Sequence, residues 1–341
     1  MSPEYKTGTP KLIEKAYGEK YGLCRIPGMV VTEKKSILCY YEARSDFMDW
    51  AKIDIKVLRS TDGGENFEPV LVIDGEGDTL NNPVMIVKED VIHFLYLKNY
   101  KRLFYRKSLD DGKTFSEPRE ITDVLTSDGL PYTVAATGPG HGIVHKGKIL
   151  VPLWRGYNPD DPKAHRPTHV LPLYSDDDGE SFKLGEPIGK ELLENANESA
   201  FAITPDGKVM VSIRHYTLGG KQRAIAVSEN GINGWSEPVL SDALPDPKCM
   251  GSMAHDEKAI YHVNCASQSE REDLTIKISR DNFATYESIF VSKYAGYSDI
   301  AVDGDNIYVF YERFHEEFHR KAKKETTRDE NDGLYFVKIK M

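Results

Sequence analysis

Short apolar and aromatic runs recur along the whole chain, at residues 36–41, 53–59, 91–97, 148–154, 208–215, 259–264, 274–279 and 306–312. They are rich in β-branched and aromatic side chains and are bounded by Gly, Asp, Asn or Pro, which is the signature of strands separated by turns. Helical periodicity is scarce. Only residues 10–17 and the polar stretch 315–332, dense in Lys, Arg and Glu, leave room for a helix. A final run, 334–340, is expected to pair with strands from the N-terminal part of the chain. The pattern predicts an all-β protein.

Between these runs one turn pattern repeats. Ser60, Asp62, Gly64 and Phe67 share their spacing with Ser108, Asp110, Gly112 and Phe115, and with Ser175, Asp177, Gly179 and Phe182. Two degraded copies follow, Ser228, Asn230 and Gly231 with Trp235, and Ser279 and Asp281 with Tyr286. Copies recur about every fifty residues, with one gap nearer seventy, a period of propeller blades. Each copy is a local device: the short Asp accepts backbone N–H groups, Gly takes a left-handed conformation, and the aromatic is expected to tuck under the hairpin. Five copies in register indicate a scaffold, and a scaffold does not specify chemistry.

At 341 residues with no linker or composition shift, the chain reads as one propeller domain, residues 1–341. Its 40% hydrophobic and 29% charged content is that of an ordinary globular protein. No apolar run approaches membrane-spanning length, and the first residues lack the apolar stretch of a signal peptide. The four cysteines Cys24, Cys39, Cys249 and Cys265 form no CxxC pair, so neither a zinc site nor a disulfide framework is indicated. The expectation is a cytoplasmic protein, unless a leader has been trimmed, with no metal and no cofactor. A net charge of −10 argues against nucleic acid or an anionic membrane as partner, so an anionic ligand needs a local cationic cluster.

The chemistry-bearing residues lie between the repeats. Cys24, Arg25, Ile26 and Pro27 are followed by Tyr41, Glu42, Ala43 and Arg44, then Asp49; Asn197, Glu198 and Ser199 precede a run ending at Arg214. Glu270 and Arg271 come later, then Tyr297, Ser298 and Asp299, and last Tyr311 and Glu312. In these motifs, in their order, and in its Asp-box turns the chain resembles the exo-α-sialidases of glycoside hydrolase family 33, from about Arg25 to Glu312. The resemblance implies a six-bladed β-propeller with its site at one end of the axis, and a sialylated oligosaccharide or glycoconjugate as substrate. It also implies roles: Arg25, Arg214 and Arg271 grip the substrate carboxylate, Tyr297 is the nucleophile, Glu198 its base, Asp49 the acid/base, and Glu312 orients Arg25. Arg44 falls at an additional pocket arginine and Trp154 at a pocket aromatic, with a structural ion pair and a core tryptophan as the alternatives. His141 is expected to support a tight loop.

These residue types suit the reaction. A sialic acid carries a carboxylate on the carbon under attack, and arginine's planar fork matches a carboxylate bidentately. A carboxylate nucleophile would meet that group as a like charge, whereas a phenol is neutral, the tyrosine exception among glycosidases. With an unperturbed pKa of about 10, the phenol needs a base within hydrogen-bond reach. One departure concerns specificity: the family's usual Asp before Pro in the second blade is Asn82 here, before Pro83. Asn82 keeps hydrogen-bonding capacity without the charge. Another ulosonic acid, deaminated or keto-deoxyoctonate, is therefore the alternative substrate, and a non-catalytic carbohydrate-binding propeller the alternative class.

Overall fold

The computed structural model describes residues 5–18, 20–315 and 329–341, and these form six sheets arranged as propeller blades, antiparallel except where Gly140–His141 runs parallel to Leu80–Lys88. The first blade runs outward from Leu23–Val31 through Ile37–Arg44 and Ile53–Ser60 to Glu68–Ile73. The innermost strands of the others are Leu80–Lys88, Val134–Thr137, Ser199–Ile203, Ser252–His255 and Ser298–Asp303. Second strands are buried almost throughout because both faces pack on neighbouring blades; Ile37–Arg44 has no exposed residue. Such strands read as continuous apolar runs, which is why the sequence pattern located them.

The last blade is closed by both ends of the chain. Gly333–Lys340 pairs with Asn306–Arg313 on one side and with Lys6–Thr7 and Lys11–Lys15 on the other. The expected pairing of the C-terminal run with N-terminal strands is thus present. The possible helix at 10–17 is instead a strand. Lys11, Leu12, Glu14 and Lys15 lie opposite Phe336, Tyr335, Leu334 and Gly333, and ring closure supplies a ladder that five residues of weak periodicity cannot outweigh. Most of the polar stretch 315–332 lies outside the described residues. Among the described residues the only helical turn is a 3₁₀ segment, Thr122–Thr126, and no helix is long and apolar enough to cross a membrane.

All five repeated turns sit at one end of the axis. In the second blade Ser108 Oγ accepts from the Gly112 N–H at 2.9 Å, and Asp110 accepts from the Thr114 N–H at 2.9 Å. The same bonds recur at Asp62, Asp177 and Asp281, while Asn230 stands in for the fourth copy. Gly64, Gly112 and Gly179 have φ of +93°, +77° and +82°, the conformation for which glycine was expected. Phe67, Phe115, Phe182 and Trp235 pack on Phe336, Phe94, Tyr105 and Phe201. The fifth copy departs. Tyr286 stays exposed, and Phe283 packs edge-on against His262 in its place, at φ +68° because no glycine is available there.

Candidate active site

The opposite end of the axis gathers polar and charged side chains from all six blades. Two inner strands are interrupted there. The pairing of Leu23–Val31 slips between Arg25 and Gly28, with Ile26 at φ +57°, and that of Leu80–Lys88 slips between Asn81 and Val84, with Asn82 at φ +50°. Bulges of this kind re-aim side chains at the cost of an unfavourable backbone, particularly for β-branched Ile26. Glu312 compensates. Its fully buried carboxylate accepts from the Ile26 N–H and the Tyr297 N–H, each at 3.0 Å, and from Arg25 Nε and Nη2 at 3.0 and 3.2 Å. Burial alone would favour its neutral acid, but Arg25 and the two N–H donors hold it below the usual carboxylate range.

Around Tyr297 three arginines converge. Arg214 Nη1 donates to the phenol oxygen at 3.0 Å, and the guanidinium carbons of Arg25 and Arg271 lie 5.0 and 5.2 Å from the ring centroid. The phenol donates to Glu198, which also pairs with Arg214. Burial and the Glu198 charge push the Tyr297 pKa well up, with the three arginines opposing, so the resting residue is a neutral phenol hydrogen-bonded to the Glu198 carboxylate. Arg271 has no ion pair among the described residues, which leaves its guanidinium for a ligand. Glu198 is itself fixed: the Asn197 side chain accepts from its N–H, and buried Arg223 donates to its carbonyl.

Asp49 stands on the loop between Ile37–Arg44 and Ile53–Ser60, its side chain half exposed. Arg44 donates to it at 3.0 Å while pairing with fully buried Glu42, so Arg44 joins a buried ion pair to the pocket. Desolvation works against ionisation of Asp49, but Arg44, Arg25 and His165 outweigh it and hold the carboxyl below its ordinary range. Glu42, to which sequence reasoning gave no role, also accepts from the Asn82 N–H at 2.7 Å. The Asn82 side chain is 5% exposed, with Nδ2 donating to the Thr137 carbonyl at 3.1 Å and Oδ1 accepting from Asn81 at 3.3 Å. Its amide therefore ties the second blade to the third. Trp154 is a core tryptophan, 4% exposed, whose ring reaches Tyr100 and His165. His141 bonds Asp299 at 2.8 Å and supports the loop, as expected.

Three further residues join the site: His165, Arg166 and Tyr216. His165 Nδ1 is 3.9 Å from Asp49, and its ring packs among Trp50, Tyr100 and Trp154. Arg166 stacks on Tyr216, whose hydroxyl receives a hydrogen bond from Arg214. The signal that could have found the first two is the over-long interval between the second and third turns, which holds the loop 157–167. Tyr216 follows Arg214 by two positions. Among the described residues no cluster of His, Cys, Asp and Glu could hold a metal ion, and all four cysteines are buried and unbonded.

A family model described as a BNR repeat-like domain matches residues 37–309, four-fifths of the chain. The chain belongs to the BNR repeat-like family. Curated members of similar sequence include an exo-alpha-sialidase of Arthroderma benhamiae, 26% identical over 79% of this chain and 70% of that protein. A sialidase of Bacteroides fragilis is also 26% identical, over 84% of this chain and 59% of its own length. Among solved structures, the Hadza microbial sialidase Hz136 superposes with a TM-score of 0.76 at 24% identity, covering 89% of this chain and 66% of that one. This BNR-repeat chain therefore shares the sialidase propeller and spans between about half and three-quarters of such relatives.

Proposed function

We propose that this protein is a retaining exo-α-sialidase that releases terminal α-linked sialic acid through a covalent tyrosyl intermediate. The observation that carries the proposal is the phenol of Tyr297, hydrogen-bonded to Glu198 and Arg214 and flanked by Arg25 and Arg271. Sialidases among its sequence relatives support the substrate class. A sugar carboxylate held by the three guanidiniums brings the anomeric carbon to that phenol. In the first displacement the Tyr297 oxygen bonds the anomeric carbon as its proton passes to Glu198. The glycosidic C–O bond breaks, and Asp49 protonates the leaving oxygen. In the second, Asp49 takes a proton from water, the water oxygen displaces the tyrosinate, and Glu198 returns its proton to the phenolate. Two inversions at one carbon give net retention.

The other ulosonic acids share this chemistry and are separated by assay. Fluorogenic α-glycosides of N-acetylneuraminic acid, deaminated sialic acid and keto-deoxyoctonate are compared by kcat/KM, with N-acetylneuraminic acid expected to be turned over best. A 3-fluoro sialosyl fluoride slows the second displacement, and peptide mapping is expected to find the adduct on Tyr297. An adduct on Glu198 or Asp49, or no turnover of any of the three glycosides, overturns the proposal.

A further inference from the structure

Two cations that the proposed reaction does not use meet on one ring: Arg166 on the loop 157–167, and Lys248 on the segment between Val239–Pro245 and Ser252–His255. The Arg166 guanidinium carbon lies 3.6 Å from the centre of the Tyr216 ring, and Lys248 Nζ lies 5.1 Å from the same ring. Arg214 is 5.3 Å from it on the clamp side. Arg166 and Lys248 are exposed, and neither has an ion pair among the described residues. By contrast Arg44, Arg59, Arg155 and Arg223 all face carboxylates. In a chain of net charge −10, three cations gathered on one ring with two unpaired leave Coulomb repulsion that an anion would relieve. Stacking on Tyr216 fixes the plane of Arg166 while its N–H edges stay available.

Position gives the cations their direction. Arg166 adjoins His165, which is 3.9 Å from Asp49, the group that protonates the leaving oxygen. The loop thus spans from the proposed acid to the clamp arginine, on the side where the leaving group departs. Beyond it opens a cleft of about 570 Å³ between Pro167, Tyr157, Lys190 and Asn195, of ligand-binding size. The Tyr216 N–H donates to the Glu194 carbonyl at 2.7 Å, which joins the cleft wall to the platform.

We propose that Arg166 and Lys248, arranged about Tyr216, form a subsite for a negatively charged aglycone, a sugar bearing a carboxylate or a sulfate next to the scissile bond. The subsite rests on the sialidase reading for its orientation, and its test is an equilibrium one so that the two fail separately. Dissociation constants are measured by calorimetry in the Tyr297→Phe background for three ligands: 3′-sialyllactose, α2,8-linked disialic acid, and a sialyl-galactose sulfated on the galactose. The same three are measured after adding Arg166→Gln and Lys248→Gln, with melting temperatures to check the fold. The affinity ratio of an anionic ligand over sialyllactose is expected to fall about tenfold, two exposed charge pairs lost together. A fall confined to the disialoside assigns the subsite to carboxylate, one confined to the sulfated sugar assigns it to sulfate, and added salt diminishes the ratio in the parent. Unchanged ratios for both anionic ligands, or binding of none, overturn the subsite. Failure of the unmutated protein to cleave any sialoside overturns the enzyme reading instead.

Discussion

The two ends of the propeller axis are built by opposite strategies. At one end five turns each satisfy themselves within about eight residues: Asp110 bonds Thr114 and Ser108, and Asp177 bonds Ser181 and Ser175. At the other end almost every important bond joins distant parts of the chain. Arg25 meets Glu312, Glu198 meets Tyr297, and Asn82 meets Thr137. The Ser and Asp bonds of each turn are local, so the turn can repeat, while single residues such as Asp111, which bonds Thr32, Ser36 and Arg59, link it to the neighbouring blade. The site's contacts cross blade boundaries, and its bulged inner strands hold β-branched Ile26 at φ +57° and Asn82 at φ +50°; the turn end meets its positive-φ positions with glycine and with Asp111, Asp178 and Asn282, residue types that tolerate that conformation, Phe283 excepted. Stability is distributed over one end and function is concentrated at the other.

Removing a single oxygen tests this division most severely. Tyr297→Phe deletes the phenol and keeps the ring between Arg25 and Arg271, so the melting temperature is expected to hold while kcat falls by about 10³-fold or more. Near-normal turnover would remove Tyr297 as nucleophile and Glu198 as its base. Arg271→Ala comes next. It deletes a guanidinium that has no ion pair among the described residues and only the Tyr297 ring beside it, and kcat/KM is expected to drop by about 10²-fold with little loss of stability. A loss of fold there would mean that Arg271 belongs to the framework.

The acid/base is tested by changing the leaving group. Asp49→Asn is expected to cost about 10²- to 10⁴-fold on sialyllactose, whose sugar leaving group needs a proton. The cost is far smaller on a phenolic aglycone, which departs as a stable anion. Arg44, Arg25 and His165 hold the Asp49 carboxyl below its usual range, so its acid form is populated only toward low pH. Turnover of sialyllactose in the unmutated protein is therefore expected to fall as pH rises from that range, more steeply than turnover of the phenolic substrate. Equal pH profiles for both would exclude Asp49 as proton donor.

Legibility in the sequence followed the same division. The turns were readable because each is complete in one short string, and the two later copies, at Ser228 and Ser279, were readable as degraded. The proposed catalytic set was readable through its resemblance to a family, since Arg25 and Glu312 are nearly three hundred residues apart and no spacing rule joins them. Glu42 was passed over because a buried acid beside an arginine is equally an ordinary ion pair; its bond to the Asn82 N–H exists only once two blades meet. The strand at Lys11–Lys15 was not legible because its partner is the other end of the chain. His165 and Arg166 lie in a loop whose excess length was visible and whose destination was not.

Asn82 changes most between sequence and structure. Its departure from the family's Asp invites the expectation that Asn82→Asp restores a substrate contact and raises activity on N-acetylneuraminic acid. The structure reverses that expectation. Nδ2 donates to the Thr137 carbonyl, so a carboxylate would set two acceptors against each other in a site that is 5% exposed. Asn82→Asp is expected to destabilise the fold by about 1–3 kcal/mol, read from the denaturant midpoint, with no gain in activity. A stable variant with improved kcat/KM would show that the amide is free to turn toward substrate.

The smallest effect is expected at the turn end, and it sharpens the comparison because activity should not change at all. Desolvation pushes the Asp110 pKa up, but its bonds to the Thr114 hydroxyl, the Thr114 N–H and Ser108 together outweigh it and bring the value down to about 2. A carboxylate whose folded pKa is depressed stabilises the fold above its unfolded value of about 3.9, and that contribution is lost as pH falls through the folded value. Asp110→Ala should therefore cost about 1 kcal/mol at neutral pH, screening at this partly exposed turn keeping the figure low. The difference from the unmutated protein should shrink between about pH 4 and pH 2. Throughout, kcat/KM on a fluorogenic sialoside should match the parent, because the turn lies at the end of the axis away from Tyr297 and two further strands, Val91–Lys98 and Leu80–Lys88, separate its hairpin strand from the axis. A change in kcat/KM without a change in stability would mean that the two ends are coupled along the blade.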